Sequence, residues 1–158
     1  MFFIKIQAML IRTLSIICLT LLYHGAFSKL AWSKANYLAG PVEAELIEVL
    51  DGDTIRVRAK IWLHQSISIL VRLNGIDAPE LRRPKCAAEK KLAIQSRHYL
   101  ASLLSDQSLQ LTSIQGGKYF GRVVAIVQTD RSKNLSQDML QSGLARLYKK
   151  GKRKSWCI

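Results

Sequence analysis

From Val42 onward, apolar and polar residues change places with a period near two. "VEAELIEVL" and "TIRVRAKIWL" keep that period on either side of "DGD", Asp51 to Asp53. Two strands joined as a hairpin are predicted, with Asp51-Gly52 supplying the turn chemistry. "SISILVRL" continues the pattern as a third strand. Ile67, Ile69, Val71 and Leu73 share one face and Ser68, Leu70, Arg72 and Asn74 the other, so Arg72 points away from the aliphatic side. After Pro84 the period becomes helical. "CAAEKKLAIQSRHYLASLL" puts Ala88, Leu92, Gln95, Tyr99 and Leu103, with Ala93, Leu100 and Leu104, on an apolar stripe, and Glu89, Lys90, Lys91 and Arg97 outside it. This helix is expected to run to about Leu104. "SLQLTSI" and "RVVAIVQT" read as strands four and five around "QGGKYFG", and "NLSQDMLQSG" as a short helix stopped by Gly143.

Three strands, a helix, two strands and a helix is the order of a five-stranded OB-type barrel, an α+β arrangement with two to three helices whose strands and loops commonly bind polynucleotides. Ahead of it, residues 29–41 ("KLAWSKANYLAGP") show neither period and end in Gly40-Pro41, as a linker would. The barrel domain is expected over 42–148, followed by a basic tail, 149–158.

Residues 1–28 differ in composition. Lys5 and Arg12 precede the apolar run "TLSIICLTLLY", acidic residues are absent, and "AFS" offers a cleavage site after Ser28. A cleaved export signal is expected, placing the chain in the periplasm or outside the cell; the run behind Arg12 is too short to span a bilayer comfortably, though an uncleaved anchor is the alternative. Ile17 is bulky where a lipoprotein site at Cys18 would want a small residue.

The chain has 24 basic and 11 acidic residues, a net charge of +13, and removal of Lys5 and Arg12 with the signal leaves most of that excess. Such a field concentrates polyanions, of which nucleic acid, anionic lipid and cell-wall polymer are the candidates outside the cytosol. With Cys18 in the signal, Cys86 and Cys157 remain as an even pair in an oxidising compartment. A bridge between them is expected, with free thiols or an intermolecular bond as alternatives. By chain entropy it would contribute up to about 4 kcal/mol and anchor the C-terminal segment.

Several chemistries are excluded for lack of material. Beyond the signal only His64 and His98 are present, too few for a histidine-metal nuclease or a Ser-His-Asp hydrolase, and there is no P-loop spacing. "DGDTIRVRAKIW" starts like a calcium-binding EF-hand loop but has Arg56 where Gly is required and Trp62 where Glu is required. What remains is carboxylate and guanidinium. Asp51 and Asp53 sit at one strand turn, Asp77 and Glu80 at the end of another, and a small barrel can bring those ends together. Oxygen-only ligands suit a hard cation, calcium or magnesium, rather than zinc. Arg72 and Arg122 can fork onto phosphate oxygens, and Glu80, beside Pro79, can take a proton from water or order it.

The order and spacing of "VLDGDTIRV", "VRLNGIDAPE", the Cys and Glu that follow, "FGRVVAIV" and "LSQDMLQSGLA" resemble the staphylococcal (micrococcal) nuclease family, from about Val42 to Leu147. The resemblance implies an OB-fold nuclease that hydrolyses DNA and RNA with calcium, little sequence preference and 3′-phosphate products. It implies Asp53 and Asp77 as calcium carboxylates, Ala78 as a backbone-carbonyl ligand, Glu80 as general base, and Arg72 and Arg122 as the phosphate clamp. In "KYFGR" the family's usual "DKYGR" has become Lys118, Tyr119 and Phe120, so the phenol beside Gly121 is lost and an acid is replaced by a base; Lys118 and Tyr119 remain candidate contacts to nucleic acid. "KKGKRK" offers Lys149, Lys150, Lys152 and Arg153 as contacts to the phosphate backbone. A monomer is expected. The competing readings are a non-catalytic OB module that binds nucleic acid by charge, and a basic domain that binds anionic envelope polymers.

Overall fold

A computed structural model describes residues 36–149 and 151–157; the segment expected to be an export signal, most of the expected linker and Lys150 lie outside the described residues. Five strands make a closed barrel: β2 (Val42–Val49), β3 (Thr54–Trp62), β4 (Gln65–Leu73), β6 (Leu109–Gly116) and β7 (Arg122–Thr129). β2 pairs antiparallel with β3 and β3 with β4. β4 lies parallel to β7, which pairs antiparallel with β6, and β6 returns to β2. This is the OB-type α+β barrel that the element order predicts. The parallel β4–β7 pair needs a long crossover, and helix α1 (Ala87–Leu104) lies within it.

Alternation packs the barrel. Ile55, Val57, Val71, Leu73, Leu109, Leu111, Ala125 and Val127 are all buried, and Leu100 and Leu104 of α1 join Leu135 and Met139 of α2 (Leu135–Gln141) in the same core. Each large side chain among them gains about 1.5–3 kcal/mol relative to exposure. Asn134 caps α2 by accepting from the Ser136 amide, and Gly143, at φ +73°, ends it as predicted.

Three local readings change. The buried face of α1 is Glu89, Ala93, Ser96, Leu100 and Leu104, so Glu89 faces inward while Ala88 and Gln95 are exposed. An apolarity pattern cannot place Glu89, because it is polar groups that hold it inside. Within the segment read as a linker, β1 (Tyr37–Leu38) lies along β6, opposite Gln115 and Ile114. The aliphatic alternation of β4 is buried only at Val71 and Leu73; the β3–β4 hairpin runs past the barrel, leaving Trp62, Leu63 and Ile67 exposed. Finally, β5 (Ile76–Asp77) pairs with β8 (Arg146–Leu147), bringing the loop after β4 beside the start of the tail.

Candidate active site

Asp53 begins at the β2–β3 turn. Asp51 Oδ1 accepts its backbone N–H at 3.0 Å, an Asx-type closure that the short side chain of aspartate allows. Burial pushes the Asp51 carboxyl up to about 7, and the charge of Asp53 adds to the effect. Gly52 between them is packed so closely against Ser96 and Ala78 that a Cβ would collide with both. The turn is thereby held against α1 and the loop after β5.

Register then does the assembly. Thr54 faces Arg72 across the β3–β4 ladder, which puts Arg72 beside Asp53. Arg72 Nη1 donates to Asp53 Oδ1 at 2.6 Å, and Nη2 to Asp77 Oδ1 at 3.2 Å and to the Ile76 carbonyl at 3.3 Å. One guanidinium thus spans both carboxylates, and all three groups are largely buried. Asp53 is further held by the Thr54 hydroxyl at 2.7 Å and by the Ala78 amide, which donates to Oδ2 at 3.0 Å. Buried charges with this many partners avoid the penalty of lone ones.

Glu80 follows at the mouth of the site. Its Oε1 accepts the Arg82 amide at 3.0 Å, and its own amide donates to Glu89 at 3.3 Å. Glu89 also accepts the Lys85 amide at 2.6 Å, so the buried carboxylate ties the Glu80 loop to α1. Cys86 accepts the Glu89 amide through Sγ at 3.4 Å. The Cys-x-x-Glu spacing is that of a capping box with sulfur in the cap position, although Glu89 reaches past the cap residue to the Lys85 amide, and that spacing marks Glu89 in the sequence.

Arg122 opens β7 on the facing wall. Its guanidinium carbon lies 4.8 Å from the centre of the Tyr119 ring, which also carries Lys118 Nζ at 5.5 Å, and its Nε is buried with no hydrogen-bond partner among the described residues. Arg72, Glu80, Lys118, Tyr119, Arg122 and Lys149 all line one cleft of about 820 Å³. These six candidates, and Arg153 with them, therefore meet in one place.

Arg153 behaves differently from a free phosphate contact. It lines the same cleft, and its Nε lies 2.9 Å from Asp77 Oδ1. The tail that carries it is pinned. Cys157 is bonded to Cys86 with their Cα atoms 6.0 Å apart, Trp156 is buried, and Arg146 covers the Trp156 ring at 3.7 Å while donating to the Ser155 carbonyl at 2.8 Å. Lys152 is exposed. His64 and His98 are also exposed, on the β3–β4 turn and on α1.

The model of the staphylococcal nuclease homologue family matches residues 70–156, just over half of the chain. The chain belongs to that family. As a staphylococcal nuclease homologue it carries Arg72, Asp77, Ala78, Glu80, Cys86 and Arg122 inside the matched segment, and Cys157 lies one residue past its end. Asp53 lies upstream of the match and joins the site through its bonds to Arg72 and Ala78. Among curated relatives, an Escherichia coli protein described as an uncharacterized endonuclease is 28% identical over 111 residues, covering 70% of this chain and 64% of its own length. A protein of the same description from Escherichia coli O157:H7 aligns with the same identity and coverage. The alignment thus spans less than two thirds of these relatives.

The donor set of this nuclease homologue has the chemistry of a hard-cation site. Asp53 and Asp77 converge on one small cation, the Arg72 guanidinium, and neither Asp77 Oδ2 nor the Ala78 carbonyl accepts a hydrogen bond among the described residues. Two carboxylates and a carbonyl, with water completing the shell, suit calcium or magnesium by ligand type. The described residues hold no group of three or more His, Cys, Asp or Glu side chains placed for a metal, so the carbonyl and water would have to share the coordination.

Proposed function

We propose that this protein is an exported, calcium-dependent nuclease that hydrolyses phosphodiester bonds of DNA and RNA with little sequence preference. The observation that carries this reading is that Arg72, which bonds both Asp53 and Asp77 behind it, lines one basic cleft together with Glu80 and Arg122. Family membership and the relatives' endonuclease descriptions support it. The apolar, acid-free N-terminal sequence supports export, as does a disulfide suited to an oxidising compartment.

Asp53, Asp77 and the Ala78 carbonyl would hold the cation. Bound there, calcium supplies positive charge to a phosphate oxygen and makes water easier to deprotonate. Glu80 Oε takes the proton from the attacking water. Arg72 retains Nε–H and one Nη1–H with no protein acceptor among the described residues, and the Nη groups of Arg122, which lines the cleft, likewise donate to no protein acceptor among them. These donors meet the negative charge that builds on the non-bridging oxygens as the fifth oxygen joins phosphorus. The Tyr119 ring holds the Arg122 guanidinium in place.

Digestion of single-stranded DNA by the purified protein in calcium, with magnesium, chelator and Arg122→Ala controls, tests the reading. Calcium-dependent cleavage that the variant loses supports it. Salt-sensitive binding without cleavage in any metal would instead leave an OB module that binds nucleic acid by charge.

A further inference from the structure

The turn between β6 and β7 presents Phe120 entirely to solvent, at 109% of its reference exposure, while its neighbour Tyr119 is occupied with two cations. Leaving a phenyl ring in water forfeits the gain of burying it, so the surrounding backbone must impose the position. It does so at several points. Arg122 N–H donates to the Tyr119 carbonyl at 3.2 Å, closing a four-residue turn with Phe120 and Gly121 at its corners. Gly121 has φ +76°, the left-handed value required of the second corner in a type II turn. Gly117 N–H donates to the Arg122 carbonyl at 2.9 Å, and Leu70 N–H to the Gly121 carbonyl at 3.2 Å, which fastens the turn to β4. Phe120 is therefore an aromatic ring on a braced corner.

Its neighbours indicate what it meets. Lys118 and Arg122 flank it, and both line the basic cleft with Arg72. A phosphodiester held by those cations carries its base only one sugar away, and every nucleobase has a flat face that stacks on an aromatic ring in a sequence-tolerant way. We propose that Phe120 forms a nucleobase-stacking subsite at the rim of the cleft, taking the base next to the bound phosphate from an unpaired strand. In this division of labour Tyr119 braces the clamp arginine and Phe120 receives the base. The inference rests on the nuclease reading for the phosphate in the cleft and adds to it the part of the substrate that carries no charge.

The test compares two fluorescently labelled strands of equal length and charge, oligo-deoxyadenylate and a wholly abasic deoxyribose phosphate. Each is bound by the full chain in chelator, so that no turnover intervenes. Phe120→Ala should weaken oligo-deoxyadenylate binding by about tenfold, the loss of one stacked base, and leave the abasic strand unchanged. Phe120→Trp should restore affinity for the base-bearing strand, and a salt slope shared by wild type and variant would show that phosphate contacts are intact. An equal effect on both strands, or none on either, overturns the stacking subsite while leaving the nuclease reading standing. Wild-type protein that binds neither strand overturns both. Because the ring makes no packing contribution, unchanged thermal unfolding of Phe120→Ala is the expected control, and altered unfolding with equal loss on both strands also counts against the subsite.

Discussion

Arg153 places its Nε 2.9 Å from Asp77 Oδ1, the same carboxylate oxygen that Arg72 Nη2 holds at 3.2 Å. The pair joins the C-terminal tail to the end of β5 and exists because Cys157 and Trp156 moor the residues behind it. The arginine is half exposed, so the contact adds modestly to stability. Its larger effect is electrostatic, one more positive charge beside the proposed cation ligands. Arg153→Ala should therefore tighten calcium binding severalfold, up to about tenfold, measured by calorimetric titration. Unchanged or weaker affinity would show that Arg153 does not oppose the cation.

Breaking the bridge should release this tail. In Cys86→Ser/Cys157→Ser the new serine at 86 can still cap α1, so the change reports on the covalent link rather than on the helix end. Unfolding free energy should fall by about 2–4 kcal/mol in urea, and Trp156 emission should shift to the red as the ring leaves its site. Reductant should lower wild-type stability toward that of the variant and leave the variant unmoved.

Arg72→Ala should lose turnover by at least about a hundredfold and also cost about 3–5 kcal/mol of stability, because it leaves buried Asp53 with no cationic partner and Asp77 with Arg153 alone. Arg122→Ala should show a comparable kinetic loss with a smaller stability change. Steady-state kinetics and urea unfolding on both variants separate the two roles, and near-native turnover in both would refute the clamp.

Glu89 touches no expected substrate, yet it accepts the amides of Glu80 and Lys85. Glu89→Ala should lower kcat about tenfold with KM little changed, since a misplaced base slows chemistry more than binding. Glu89→Gln keeps one acceptor and should recover part of the loss. A change in KM alone would remove Glu89 from the positioning of Glu80.

The barrel and most of the candidate site are legible in the sequence because both rest on short-range signals. Alternation of two marks the strands, "DGD" marks a turn, and the ladder then brings Asp53 to Arg72 without further information. Glu89 is readable only from the capping spacing, since a helical stripe chosen by apolarity discards it. Arg153 is not readable at all as a partner of Asp77. In sequence it is one of a run of cations, and only the tertiary anchorage of Trp156 and Cys157 singles it out. Phe120 shows the opposite failure. The pattern marks an aromatic, but only backbone geometry reveals that it faces water.

Gly52→Ala should destabilise the fold by about 1–3 kcal/mol, because the added methyl group meets Ser96 and Ala78 where neither can retreat freely. Thermal unfolding measures this, and a fold as stable as wild type would mean that the turn and α1 can separate without cost.

The four-residue cluster of Asp53, Arg72, Asp77 and Arg153, whose two arginines line the cleft, contains two carboxylates and two guanidinium groups and so is electrically balanced as it stands. A divalent cation entering there would upset that balance by two positive charges, and a phosphodiester would restore half of it. Each visitor would thus improve the site for the other, and thermodynamic reciprocity requires the gain to be the same from either direction. Lys118, Arg122 and Lys149 lie outside that balance, so a strand would still be drawn to the cleft without the cation and held more firmly with it.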